Sequence, residues 1–70
     1  MMPLTLADVG KAYTIVRITG KDEVRTHLRN LGFVENGIVS IVSSINGNLI
    51  VEVKDCRMAM NESLARRIMV

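Results

Sequence analysis

Apolar and polar residues alternate along several short stretches of the chain, which is the pattern of β-strands buried on one face. In residues 49–54 the odd-numbered positions are all apolar, and two of the three even-numbered positions are charged. A β-branched stretch at 38–42 precedes it, and Asn46-Gly47 lies between the two. Asn-Gly is the dipeptide most typical of tight hairpin turns. An antiparallel hairpin is therefore predicted at the centre of the chain.

Three further stretches are predicted to join this hairpin in a sheet. Residues 12–19 are rich in β-branched side chains, 56–60 follow a turn at Asp55, and 67–70 follow a helical turn that Asn61 can cap. Five short strands in so small a chain predict a mainly β fold, because a closed or nearly closed barrel removes exposed sheet edges.

One stretch has the period of a helix instead. Val24, Leu28 and Leu31 recur at the spacing of a single helix face within 22–31, and acidic residues occupy its first two positions. Gly32 follows the last apolar residue, where a left-handed residue commonly ends a helix. The barrel is thus predicted to carry one inserted α-helix, with these three apolar side chains facing the core.

Composition limits the chain to one domain of 70 residues, 49% of them apolar. Nine basic and seven acidic residues give a formal charge of +2. Nucleic-acid-binding proteins gather basic residues on one face, because phosphate neutralisation drives their affinity. A basic patch could include Arg17, Lys21, Arg25 and Arg29, but two acidic residues interrupt it. A mixed, solvated surface is the simpler interpretation.

Three features that the sequence lacks indicate the cellular compartment of the protein. Cys56 is the single cysteine, so no internal disulfide can form. The N-terminus has no charged leader followed by an apolar stretch, and no apolar run approaches the ~20 residues that span a bilayer. We therefore expect a cytoplasmic protein without direct membrane insertion.

Residues able to perform chemistry are few. A metal site usually needs three or four converging ligands, whereas this chain has one His and one Cys. His27 lies between two arginines, and Cys56 is predicted to be a small buried residue of a strand. The five glycines are spread over turns rather than gathered in a phosphate-binding loop. No catalytic, cofactor or metal site is predicted, so the sequence favours a binding module over an enzyme.

Several segments together resemble the FeoA family. The most specific is Arg-Thr-His-Leu-Arg-Asn-Leu-Gly-Phe at 25–33, followed by Gly37. The stretch 18–20 and the C-terminal stretches 58–60 and 62–70 are also similar. The resemblance covers almost the whole chain and implies a single FeoA-type, SH3-like five-stranded barrel over residues 1–70. The residues that match the structural motif of the family are Leu28, Leu31, Gly32, Phe33 and Gly37.

The same resemblance implies a function. FeoA-type proteins are cytoplasmic accessory or regulatory modules, without catalysis of their own, that contact the FeoB-type membrane transporter of ferrous iron. Such a protein would be cytoplasmic, or peripheral at the inner membrane through the transporter. Two features depart from the family pattern: the loop at 43–48 contains no Pro, and Met60-Asn61 replaces the more usual Leu followed by a basic residue.

Arg25 and Arg29 are the predicted partner-binding residues. They are four apart on the predicted helix and project together, so an acidic patch on the transporter would attract both. Two alternatives stay open, a small-barrel nucleic-acid-binding protein and an autonomous metal-binding protein that delivers iron. The low aromatic content, Tyr13 and Phe33 only, weakens the nucleic-acid alternative, because single strands stack on aromatic rings. A homo-oligomer is also compatible with the sequence.

Overall fold

The architecture, taken from a computed structural model of residues 1–70, consists of six strands, two helices and one 3₁₀ turn. In chain order the elements are the 3₁₀ turn Leu4–Leu6, β1 Ala12–Thr14, β2 Arg17–Ile18, α1 Asp22–Asn30, β3 Ile38–Ile45, β4 Asn48–Val53, β5 Cys56–Asn61, α2 Glu62–Ala65 and β6 Ile68–Met69. The prediction of a mainly β fold with one inserted helix is confirmed.

The strands form two antiparallel groups. One is a four-stranded sheet in the order β1-β3-β4-β5, and the other is the pair β2-β6. Met2 and Val70 exchange two backbone hydrogen bonds of 2.8 Å, so the two ends of the chain lie side by side. The four-stranded sheet does not close on itself, and β5 remains at its edge.

The predicted strand at 12–19 is two strands, one in each group. At the break, Ile15 donates its N–H to the carbonyl of Gly37, and Val16 donates its N–H to the carbonyl of Met69, both at 2.8 Å. The backbone therefore changes partners between consecutive residues while Ile15 remains fully buried. Because of this change the chain has six strands rather than the five predicted, and the segment ties both groups to one core.

Two tight turns set the register of the central strands. Asn46 and Gly47 have φ of +49° and +79°, the backbone of a type I′ turn, which confirms the predicted hairpin. Lys54 and Asp55 also have positive φ, +50° and +64°, although neither is glycine. Strand pairing on both sides of this second turn holds it in that conformation. The β4–β5 ladder is consequently regular along all six residue pairs.

The core lies between the four-stranded sheet, α1 and the terminal strands. No polar or charged side chain is buried. Twelve apolar residues form the core cluster: Leu4, Ile15, Leu28, Phe33, Val39, Ile41, Leu49, Val51, Val53, Met60, Ala65 and Ile68. The alternating burial along β4 matches its predicted pattern.

The end of α1 determines which of its neighbours enter this core. Gly32 has φ of +107° and donates its N–H to the carbonyl of Arg29, while Phe33 donates its N–H to the carbonyl of Leu28, each at 3.0 Å. These two bonds form a Schellman motif, which satisfies carbonyls that a helix end leaves free. The side chains of Leu28 and Phe33 are both fully buried, which is the apolar contact that usually accompanies the motif.

Leu31 is not a core residue, so this part of the predicted apolar stripe is wrong. Its side chain is 37% exposed, whereas Leu28 is fully buried and Val24 packs at the edge of the core. The helix ends at Asn30 and Leu31 is its C-cap. The chain then reverses, so that Phe33 rather than Leu31 fills the space below the last turn.

A second turn leads from the helix into β3. Gly37 donates its N–H to the carbonyl of Val34 at 3.0 Å, and Asn36 holds a positive φ of +68°. A Cβ atom on Gly37 would lie 3.0 Å from the Val34 carbonyl oxygen. The position therefore needs glycine because of a close approach to backbone, while Asn36 supplies the left-handed conformation.

Truncation of Leu28 tests the position of the helix. Leu28→Ala should lower the free energy of unfolding by about 2–5 kcal/mol, because it removes a fully buried side chain. Leu31→Ala is the matched control, and its partial exposure limits the loss to about 1 kcal/mol or less. Urea denaturation measures both, and equal midpoint shifts for the two variants would contradict the described helix end.

Substitution of Gly32 tests the Schellman motif. Gly32→Val should cost about 1–2 kcal/mol or more, because a β-branched residue tolerates positive φ poorly. The nearest atoms, on Lys54 and Val53, are 3.7 Å from a Cβ built at this position, so space is not limiting. Gly32→Ala should therefore already show most of the loss in thermal denaturation, and a neutral alanine variant would argue against the left-handed conformation.

Candidate functional site

The predicted partner-binding arginines lie on the solvent-facing side of α1, one helical turn apart. The Arg25 guanidinium is 3.4 Å from the Asp22 carboxylate, and this ion pair is open to solvent, with the two side chains 47% and 97% exposed. Arg29 is exposed and forms no ion pair. Asp22 is the first helical residue, and Lys21 is the N-cap.

Both arginines border one cleft of about 290 Å³, called here the α1 cleft. It is lined by Ile18, Arg25, Arg29, Phe33, Val34 and Glu35. The cleft brings together β2, the outer side of α1 and the segment that follows the helix. Two arginines, one glutamate and three apolar residues therefore border a single depression.

The chain reversal at Gly32 builds this cleft. Because the reversal directs Phe33 into the core, the next two residues, Val34 and Glu35, return beside the helix that precedes them. The sequence indicated that Arg25 and Arg29 share a side. It did not indicate that Ile18, Val34 and Glu35 would join them, because those neighbours depend on how the turn packs.

The chemical capacity of the α1 cleft is recognition. Arginine presents planar, permanently charged donors that suit carboxylates, and the apolar residues of the cleft can contact a side chain beside such a group. Glu35 adds one negative charge, which favours a partner that carries a cation next to its carboxylates. The α1 cleft therefore has one negatively charged residue beside its two positively charged ones.

A different part of α1 carries the histidine. Asp22, Glu23, Thr26, His27 and Asn30 border a shallow, open depression. His27 is exposed, and no group of three or more His, Cys, Asp or Glu side chains is placed to hold a metal ion.

The prediction that Cys56 is buried is wrong. It directly follows the Lys54-Asp55 turn at the start of the edge strand β5, where no element covers it, and it is exposed. Regarding membranes, none of the helices has the length and apolar character needed for a bilayer span.

Solved structures share this fold. A crystal structure described as iron uptake regulatory protein (FeoA) is 25% identical, with a TM-score of 0.87 over 96% of this chain and 91% of its own. The zinc complex of Stenotrophomonas maltophilia FeoA is 25% identical, with a TM-score of 0.85 over 99% of this chain and 88% of its own. That protein is described as a procaryotic SH3 domain protein and a candidate activating factor of ferrous iron transport. The SH3-like fold expected from the sequence is thereby confirmed.

A more distant similarity concerns the fold alone. A manganese-dependent transcriptional repressor is 14% identical, with a TM-score of 0.81 over 94% of this chain but only 38% of the repressor. No match is found among curated proteins. The family comparison is more specific, since the sequence model of the FeoA domain matches residues 2–70. With that match over nearly its full length, and with FeoA structures as its structural neighbours, the chain belongs to the FeoA domain family.

Proposed function

We propose that this protein is a non-catalytic cytoplasmic accessory module of a FeoB-type ferrous iron uptake system, and that it acts by contact with the cytoplasmic part of the transporter. Membership of the FeoA family supports the link to ferrous iron transport. The observation that carries the contact mechanism is the α1 cleft, where two exposed arginines border apolar surface. An acidic patch of the transporter would occupy this cleft.

Both arginines can bind a partner with little loss of the ion pairs that they form in the free protein. Arg29 has no ion pair to break, and the Arg25–Asp22 pair is highly exposed. Exposed pairs of this kind are worth about 1 kcal/mol or less. A carboxylate of the partner can therefore replace Asp22 beside Arg25 with little loss, and it gains a second guanidinium at Arg29.

The helix that carries these arginines is held rigidly. Leu28, between the two arginines in sequence, is fully buried, and the Schellman motif fixes the last turn of α1. A pre-organised binding surface loses less conformational entropy on association than a flexible one. Electrostatic attraction at such a surface mainly accelerates association and orients the partner.

A nucleic-acid-binding function is less well supported. Glu35 borders the cleft and Asp22 contacts Arg25, so carboxylates interrupt the basic surface. Phe33 is fully buried, and Tyr13 is half-buried, with its side chain packed against the core. Neither aromatic ring therefore offers a free platform for stacking bases.

Charge reversal tests the proposed contact. The double variant Arg25→Glu/Arg29→Glu should slow association with the purified cytoplasmic domain of a FeoB-type transporter by roughly tenfold or more at low salt. The salt dependence of the association rate should fall with it, because the attraction has been removed. Surface plasmon resonance at several salt concentrations, in each nucleotide state of the transporter domain, measures both quantities.

The control for this experiment is Lys11→Glu/Arg66→Glu, which changes the net charge equally. Both control residues form exposed ion pairs, with Asp8 and Glu62, and neither borders the α1 cleft. The control should associate at a rate closer to that of the wild type. Equal losses in both double variants would leave only net charge as the cause, and absence of wild-type binding would refute the partnership.

Metal titration separates this proposal from an iron-delivery function. We expect no stoichiometric binding of Fe²⁺ at micromolar concentrations under anaerobic calorimetry, because His27 and Cys56 alone cannot complete a coordination shell. His27→Ala and Cys56→Ser should give the same flat titration as the wild type. Tight binding by the wild type that His27→Ala abolishes would support an iron-binding protein instead.

A further inference from the structure

The outer edge of β5 has open backbone hydrogen-bonding groups. The two-residue turn Lys54-Asp55 makes Val53 and Cys56 a hydrogen-bonded pair, so every second residue of β5 directs its N–H and C=O toward β4. Arg57 and Ala59 therefore direct theirs away from the sheet. No strand pairs with β5 on that side, and no other hydrogen bond reaches the main-chain N–H or C=O of either residue.

This edge lacks the features that usually protect one. Proteins blunt exposed edges with proline, a lysine, a bulge or a covering segment. Strand β5 has neither proline nor lysine, and its pairing with β4 is regular. The charged side chain of Arg57 does not shield the edge, because its Nε donates to the Glu52 carboxylate on the adjacent strand at 2.9 Å.

We propose that β5 pairs with β5 of a second copy of this chain, as an antiparallel, two-fold symmetric strand pair that forms a weak dimer. Open N–H and C=O groups in strand spacing suit an extended backbone as their partner. The turn at Lys54-Asp55 and the start of α2 at Glu62 limit the edge to six residues. An identical strand has the same length. Across a two-fold axis, each hydrogen bond from one copy to the other is matched by an equivalent bond in the opposite direction.

The register centred on Met58 is favoured, because it keeps the pairing within residues 56–60 and leaves the N-cap Asn61 outside it. With Met58 on the two-fold axis, Arg57 of each copy lies opposite Ala59 of the other, and these two pairs form four backbone hydrogen bonds. A register centred on Arg57 would place like charges opposite each other. A register centred on Ala59 would place Arg57 opposite Asn61, the N-cap of α2, and Cys56 opposite Glu62, which is already helical.

The α1 cleft remains free in this dimer, since no residue of β5 lines it. Each copy could then bind one transporter domain. Pairing through β5 would double the number of α1 clefts in the assembly, so that two contacts to one transporter oligomer reinforce each other. The dimer itself does not depend on the transporter.

Disulfide trapping tests the register. In a Cys56→Ser/Met58→Cys variant, the two introduced thiols face each other across the axis, with Cα atoms about 4.5 Å apart in a non-hydrogen-bonded pair. Mild oxidation at high protein concentration should give a disulfide-linked dimer. The wild type is the matched control, because its Cys56 residues would be about 14 Å apart, four residues along the strand. Equal cross-linking of both proteins, or none in the variant, would overturn the proposal.

Sedimentation equilibrium gives an independent test that needs no cysteine. The wild type should show concentration-dependent dimerisation, and Ala59→Pro should be monomeric, because proline removes an N–H that points away from the sheet. This substitution leaves the β4–β5 bonds in place, so the variant should keep its circular dichroism spectrum. A wild type that stays monomeric at millimolar concentration, or a folded Ala59→Pro variant that dimerises as well as the wild type, would exclude pairing through this edge.

Discussion

The left-handed conformation of Gly32 is the constraint on which the rest of the structure depends. It allows two backbone hydrogen bonds that end α1 and turn the chain back on itself, so that Phe33 enters the core beside Leu28. The same reversal returns Val34 and Glu35 along the outside of the helix. Core packing and the α1 cleft are therefore two consequences of one turn.

This arrangement lets a small domain combine an apolar core with a charged cleft at its surface. Every fully buried residue is apolar, and the ion pairs all lie at the surface. Stability thus comes mainly from packing, and the charged side chains stay at the surface. With a net charge of only +2, the protein cannot rely on a strong overall field. Under the proposed function, its selectivity would depend instead on the local pattern of two arginines, one glutamate and neighbouring apolar groups.

Local features of the fold could be predicted from the sequence, and features set by long-range packing could not. The helix over 22–30 and the Asn46-Gly47 hairpin follow from periodicity and turn chemistry within a few residues. Periodicity alone predicted that Leu31 belongs to the buried stripe of α1. It could not show that the chain reverses after the helix and buries Phe33 there instead. The break at Ile15 and the exposure of Cys56 likewise depend on which strands lie beside them. For the site, the shared side of Arg25 and Arg29 was predictable, whereas their neighbours across the cleft were not.

The central claim is that the α1 cleft is the surface that meets the transporter. Nuclear magnetic resonance tests it most directly, with the ¹⁵N-labelled protein titrated with the unlabelled cytoplasmic domain of a FeoB-type transporter. Shift changes and line broadening are expected to concentrate at Ile18, along the outer side of α1 and at Val34–Glu35. Changes that instead centre on β3 and β4, with the amides around the α1 cleft unaffected, would contradict it.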